Sequence, residues 1–116
     1  MLSLSIPLPY RKEGQMRRGT TPTLTFDFEI DTSLFVSGFI TIVSGETTIN
    51  IDINDCDLIG TTASYTLTQT DTLSLSANAK DMCKIQAKVK TVDEKVLASP
   101  IITRKVDDIL NEVILE

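Results

Sequence analysis

Strict alternation of apolar and polar residues in short segments is the feature that most constrains how this chain can fold. The alternation is found at residues 24–30, 49–53, 63–67 and 83–89. A period of two is typical of half-buried antiparallel strands, whose successive side chains point to opposite faces of a sheet. Because clusters of Gly, Asn, Asp and Ser separate these segments, the pattern predicts an all-β sandwich built from hairpins.

Length and charge narrow the class of protein further. The 116 residues fit one domain with a single core. The formal net charge of −5 argues against a surface that binds nucleic acid or an anionic membrane. No apolar run is long enough to cross a bilayer, and the apolar residues 2–9 lack the basic start and the small-residue cleavage site of a signal peptide. We therefore expect neither membrane insertion nor export through a signal peptide.

The chain divides into three parts by composition. Residues 1–15 are interpreted as an N-terminal extension, residues 16–105 as the β-sandwich domain and residues 106–116 as an amphipathic tail. A charged run just before Met16, Arg-Lys-Glu-Gly, is also what the purine-rich codons of a ribosome-binding sequence encode when they are read in frame. The native start is therefore either Met1 or Met16.

Two segments in the middle of the chain carry further predictions. Residues 39–43 are so uniformly apolar that we expect both faces of this strand to be covered. Ser44-Gly45-Glu46 then turns the chain into the alternating strand at residues 47–53. Residues 69–78 mix two leucines with Ser, Thr and Asp, which fits either a short helix capped by Thr70 or an irregular edge.

The closing segment of the sequence changes period. Its apolar residues fall at helical spacing and form one stripe, which consists of Val106, Ile109, Leu110, Val113 and Ile114. Two aspartates stand near its amino end, where a helix dipole favours negative charge. The spacing predicts a C-terminal helix whose stripe packs either on its own sandwich or on a neighbouring subunit. These five residues are our partner-binding candidates.

Residues that carry chemistry are few. Histidine is missing, which removes the usual general base, the Ser-His and Cys-His nucleophile pairs and the commonest ligand of transition metals. Cys56 and Cys83 stand in no paired spacing and are expected to be free thiols. We therefore predict a protein that is not an enzyme, with no catalytic residue and no cofactor.

One acidic cluster contains oxygen ligands of the kind that calcium accepts, namely Asp52, Asn54, Asp55 and Asp57. The cluster lacks the length and the regular ligand order of an EF-hand loop. Two interpretations stay open, a solvated bend between strands and a calcium site.

Several stretches of the sequence resemble known phage proteins. Residues 17–26 (Arg-Arg-Gly-Thr-Thr-Pro-Thr-Leu-Thr-Phe) are similar to the opening of small proteins encoded in prophages of Gram-positive gut bacteria. Residues 63–69 (Ala-Ser-Tyr-Thr-Leu-Thr-Gln), followed by residues 84–91 and 106–110, resemble the order of elements in the amino-terminal domain of upper baseplate proteins of siphophages. The similarity covers most of residues 17–115 and transfers no site residue.

The resemblance implies an immunoglobulin-like antiparallel β-sandwich of about seven strands, with a short helical turn. It also implies a virion or tail-associated assembly module that acts through contacts with protein partners. Those partners are copies of itself, in a homo-oligomer, or other phage proteins. The alternative is a small phage-encoded factor that binds and inhibits a host protein. The expected location is the virion or the cytoplasm of the bacterial host.

Overall fold

The structure is a computed structural model that describes residues 3–5, 15–78 and 80–116. Ten strands lie within these residues: β1 (Ser3–Ser5), β2 (Gln15–Arg17), β3 (Thr23–Asp27), β4 (Phe35–Ser44), β5 (Thr47–Asp52), β6 (Asp57–Ile59), β7 (Thr62–Thr66), β8 (Cys83–Thr91), β9 (Val96–Ala98) and β10 (Ile102–Asp107). The helical elements are α1 (Gln69–Leu73) and two short 3-10 helices (Thr32–Leu34 and Ile53–Asp55). The all-β prediction is confirmed. Within the predicted extension, residues 1, 2 and 6–14 lie outside the described residues.

The strands form two sheets. The first has the order β1-β3-β7-β6 and is antiparallel throughout. The second has the order β2-β10-β8-β4-β5, with β9 also paired to β8, and its β2–β10 pair is parallel. β1 and β2 therefore lie in different sheets.

The buried faces of the two sheets meet in one core. Leu24 and Phe26 of β3 contribute to it from the first sheet, and Ile40, Ile42 and Ile85 contribute from the second, all with no exposed surface. The inward positions of the alternating segments are therefore those that the period of two predicts. Phe28 extends the core toward β4, where its ring meets that of Phe35 edge to face at 4.9 Å.

The turn chemistry of the hairpin between β4 and β5 follows the prediction. Ser44 pairs with Thr47, so the loop has two residues, and Gly45 adopts a positive φ of 60°. Two-residue hairpin loops whose twist matches that of the flanking strands need a positive φ at their first residue. Glycine adopts a positive φ without strain, because it has no Cβ.

The expectation that both faces of residues 39–43 are covered is wrong. β4 lies between β5 and β8, and its inner face, with Ile40 and Ile42, meets the core. On its outer face Phe39 and Val43 are 50% and 37% exposed. The sequence does not distinguish an apolar residue exposed on the outer face of a sheet from one covered there by another element. The apolar run therefore gave a wrong prediction for the outer face of β4.

The short helix is confirmed, but its predicted cap is wrong. Thr68, and not Thr70, caps α1: its hydroxyl accepts from the backbone N–H of Asp71 at 3.0 Å. The Asp71 carboxylate in turn accepts from the backbone N–H of Thr68 at 3.0 Å, which completes a capping box. The helix therefore begins two residues earlier than expected, and its last residue, Leu73, lies near the end of β10, where Arg18 contacts both.

Candidate protein–protein interface

Residues 108–116, the carboxy-terminal segment, follow β10 without forming a helix, so the predicted C-terminal helix is wrong. Its predicted first residue, Val106, is paired with Met16 of β2 and is only 4% exposed. Within the segment Asp108 accepts from its neighbour's backbone N–H at 2.8 Å, and Asn111 accepts from that of Val113 at 2.9 Å. Such local side-chain bonds compete with helical ones, and a segment this short does not hold a helix by itself.

Arg18, directly after β2, anchors the start of the carboxy-terminal segment. Its guanidinium donates to the carboxylates of Asp108 at 2.7 Å and Glu112 at 3.2 Å. The same group donates to the backbone carbonyl of Leu73 at the end of α1, at 2.8 Å. The Asp108 hydrogen bond raises the pKa of Arg18 and lowers that of Asp108. One side chain thus ties the segment to both β2 and α1.

Gln69, the first residue of α1, anchors the other end of the segment. Its side-chain amide donates to the Leu115 carbonyl at 2.8 Å and accepts from the Leu115 N–H at 2.9 Å. This paired contact satisfies both backbone groups of one residue, as a neighbouring strand would. The segment is therefore held at both ends, while its middle forms no strand pairing with the sheets.

Large apolar side chains of the anchored segment face solvent. Leu110, Val113, Ile114 and Leu115 are 105%, 68%, 48% and 77% exposed. Ile109 is half-buried and lies beside Gly19, where an added methyl group would come 3.3 Å from its Cδ1. Of the five predicted partner-binding residues, the structure therefore leaves Leu110, Val113 and Ile114 exposed in one segment, while Val106 belongs to the core.

A second exposed surface lies on the outer side of the second sheet. We call it the lysine face and define it by six outward residues of β4 and β8: Phe39, Thr41, Val43, Lys84, Gln86 and Lys88. Across the two strands Phe39 is paired with Lys88, and Val43 with Lys84. A cavity of about 160 Å³ opens there, lined in part by Val43, Lys84 and Ile101.

The acidic bend proves to be a capped turn. The Asp52 carboxylate accepts from the backbone N–H of Asn54 at 2.9 Å and so caps the second 3-10 helix. Among the described residues, no three His, Cys, Asp or Glu side chains come together as a metal ion would require. Asp52 thus acts in the local turn, Asn54 and Asp55 belong to the 3-10 helix and Asp57 begins β6, and nothing in their arrangement favours the calcium interpretation.

Both cysteines are free thiols. Burial raises the pKa of Cys83 to about 12. Burial, together with the nearby carboxylates of the acidic bend, raises the pKa of Cys56 to about 11. Both thiols are therefore protonated near neutral pH and are poor nucleophiles.

Sequence reasoning missed both anchors of the carboxy-terminal segment. Arg18 carries no sequence signal for its contact with Asp108, which lies 90 residues away. Gln69 carries no sequence signal for a contact with Leu115. The outward lysines of β8, in contrast, are marked by the alternation itself, and their exposure agrees with it.

Comparisons of this chain with protein family models, curated proteins and solved structures found no match. In the residues that the structure describes, no helix has the length and apolar character needed to cross a bilayer.

Proposed function

We propose that this chain is a non-enzymatic assembly module of a phage or prophage particle, associated with its tail or baseplate, that associates with copies of itself. The observation that carries the proposal is the carboxy-terminal segment, which presents Leu110, Val113 and Leu115 to solvent from an anchored position. Contiguous exposed apolar side chains of this size are typical of protein contact sites. The module would act in the virion or, before assembly, in the host cytoplasm.

The energetics favour a protein partner for this segment. Burying a Leu or Val side chain fully is worth about 1.5–3 kcal/mol, so covering these side chains supplies several kcal/mol toward association. Arg18 and Gln69 already order the segment, so less conformational entropy is lost when it docks. Exposed but fixed apolar residues are thus better suited to association than the same residues on a free chain.

The phage assignment is supported by the resemblance of residues 17–26 and 63–69 to prophage and baseplate proteins. The strand order of the two sheets is compatible with the immunoglobulin-like domain that this resemblance implies. The resemblance and the strand order both support a role in assembly, for which no catalytic residue is needed.

The test is the solution mass of the full chain, measured by light scattering over a range of concentrations. We expect the wild-type chain to form a defined oligomer. The double variant Leu110→Asp/Val113→Asp should be a monomer of 12.8 kDa with an unchanged β-type circular dichroism spectrum. The matched control is Ile59→Asp/Val92→Asp, which places the same two charges at positions that are 74% and 61% exposed elsewhere. It should associate like the wild type.

A wild-type chain that stays monomeric at every concentration would overturn self-assembly. In that case the alternative function, a factor that binds and inhibits a host protein, becomes the better explanation. An oligomer that both double variants retain would show instead that the carboxy-terminal segment does not form the contact.

A further inference from the structure

We infer that the lysine face of one copy receives the carboxy-terminal segment of the next copy, so that the chain assembles head to tail. The inference rests on the proposed self-assembly and names the two surfaces that meet.

The lysine face offers an apolar floor with a basic margin. Phe39 and Val43 are exposed apolar side chains on β4, which lies between β5 and β8. Lys84 and Lys88 are exposed beside them on β8. Among the described residues these lysines form no ion pair. The nearest carboxylate by register is that of Asp52, opposite Phe39 on β5, and it is engaged with a backbone N–H.

The carboxy-terminal segment has the complementary composition. It carries Asp108, Glu112 and Glu116 and no Lys or Arg, interleaved with the exposed apolar residues. Arg18 shares its single positive charge between two of these carboxylates, so the anchored segment remains negative. An acidic apolar segment is what a basic apolar face selects, because opposite potentials attract and the apolar side chains are buried together.

Neither surface is suited to a two-fold contact with its own copy. Two lysine faces placed together would bring the β8 lysines of one copy against those of the other. Two carboxy-terminal segments placed together would bring Glu112 and Glu116 of one copy against the same glutamates of the other. Like charges brought together in this way destabilise a contact. The contact is therefore between unlike surfaces, and such contacts close into rings or continue as filaments.

The experiment is a complementation test by analytical ultracentrifugation. The face variant is Phe39→Asp/Lys88→Glu, and the segment variant is Leu110→Asp/Val113→Asp. Each variant keeps one intact surface. We expect each to be a monomer alone, and an equimolar mixture to form a dimer of twice the 12.8 kDa chain mass and nothing larger. The matched control for the face variant is Ile59→Asp/Lys80→Glu, which makes the same charge changes at exposed positions outside the face. It should assemble like the wild type.

The possible failures point to different errors. If the segment variant is monomeric but the face variant still assembles, the proposed function stands and the head-to-tail inference is overturned. If both variants are monomeric alone and stay monomeric when mixed, the intact face of one variant does not bind the intact segment of the other, and the inference is again overturned. If the wild type itself never assembles, self-assembly fails as well. Thermal melting of every variant verifies that the loss of assembly is not a loss of folding.

Discussion

Replacing Met16 with Ala tests how strongly β2 contributes to the fold. Met16 has no exposed surface and is paired with Val106 of β10. Truncating a buried Met to Ala costs about 2–5 kcal/mol, because packing contacts are lost and a cavity remains. Since β2 has three residues and a single neighbouring strand, it can relax into part of the cavity, and we expect about 3 kcal/mol.

The loss of stability translates into a measurable shift of the melting temperature. An unfolding entropy of about 2.1 cal/mol/K per residue gives about 0.24 kcal/mol/K for a chain of 116 residues. A loss of about 3 kcal/mol then lowers Tm by about 12 °C. Thermal and urea unfolding, followed by circular dichroism, measure the change.

The chain provides a matched control for this substitution. Met82 is 38% exposed just before β8, so Met82→Ala should change the free energy of unfolding by less than about 0.5 kcal/mol. Arg18 follows β2 directly and anchors the carboxy-terminal segment through Asp108. Loosening β2 by the Met16 substitution should therefore also speed amide hydrogen exchange in residues 109–115. A Met16 variant as stable as the Met82 variant would refute the argument that β2 is packed into the core.

Gly38, the two cysteines and Asp108 each lead to a further prediction. Gly38→Ala should lower the free energy of unfolding by about 1–3 kcal/mol in a urea titration, because its Cβ would lie 2.6 Å from a backbone oxygen of β8; an unchanged midpoint would contradict the close packing. Cys56 and Cys83, with pKa values raised to about 11 and 12, should resist a thiol reagent at pH 8 until the chain is unfolded; rapid labelling of the native chain would contradict the raised pKa values. Asp108 should titrate below its ordinary pKa of 3.8, because Arg18 stabilises its charged form. Its anchoring is then complete above that pH and is lost as the pH falls through the lowered pKa. NMR of Arg18→Met should show the pKa of Asp108 shifted upward, toward the ordinary value, while the hydrogen bond from the Ile109 N–H still lowers it.

The parts of the fold that depend on local periodicity could be predicted from the sequence. The alternation in residues 83–89 placed Cys83 and Ile85 in the core and the lysines outside, as the structure has them. Residues 106–114 misled because a stripe at helical spacing was interpreted alone. Val106 is fixed by its parallel pairing with Met16, a contact between the two ends of the chain that leaves no local pattern.

The candidate interface could be predicted only in part for a related reason. The apolar residues of the stripe were identified, but whether they are buried or exposed depends on Arg18 and Gln69, which are distant in sequence. A helix would have presented its stripe on one face, to pack either on the sandwich or on a neighbouring subunit. Because Asp108 and Asn111 divert the backbone into local turns, the same residues extend across the end of the molecule and face solvent.

Anchoring at both ends has a consequence for the proposed head-to-tail contact. Fixing a free segment on a partner costs about 1–2 kcal/mol per residue in backbone entropy, which would cancel much of the gain from burying its apolar side chains. Arg18 and Gln69 already restrict the backbone of the segment within the monomer, so less entropy is lost on association. Their contacts do not use the exposed apolar side chains. Weakening either anchor should therefore weaken assembly even though neither residue lies on the contacting surface. Gln69→Leu, which keeps side-chain size and removes both Leu115 hydrogen bonds, should raise the dissociation constant of the oligomer while leaving Tm near that of the wild type. An unchanged dissociation constant would show that the segment is ordered by its partner and not by its anchors.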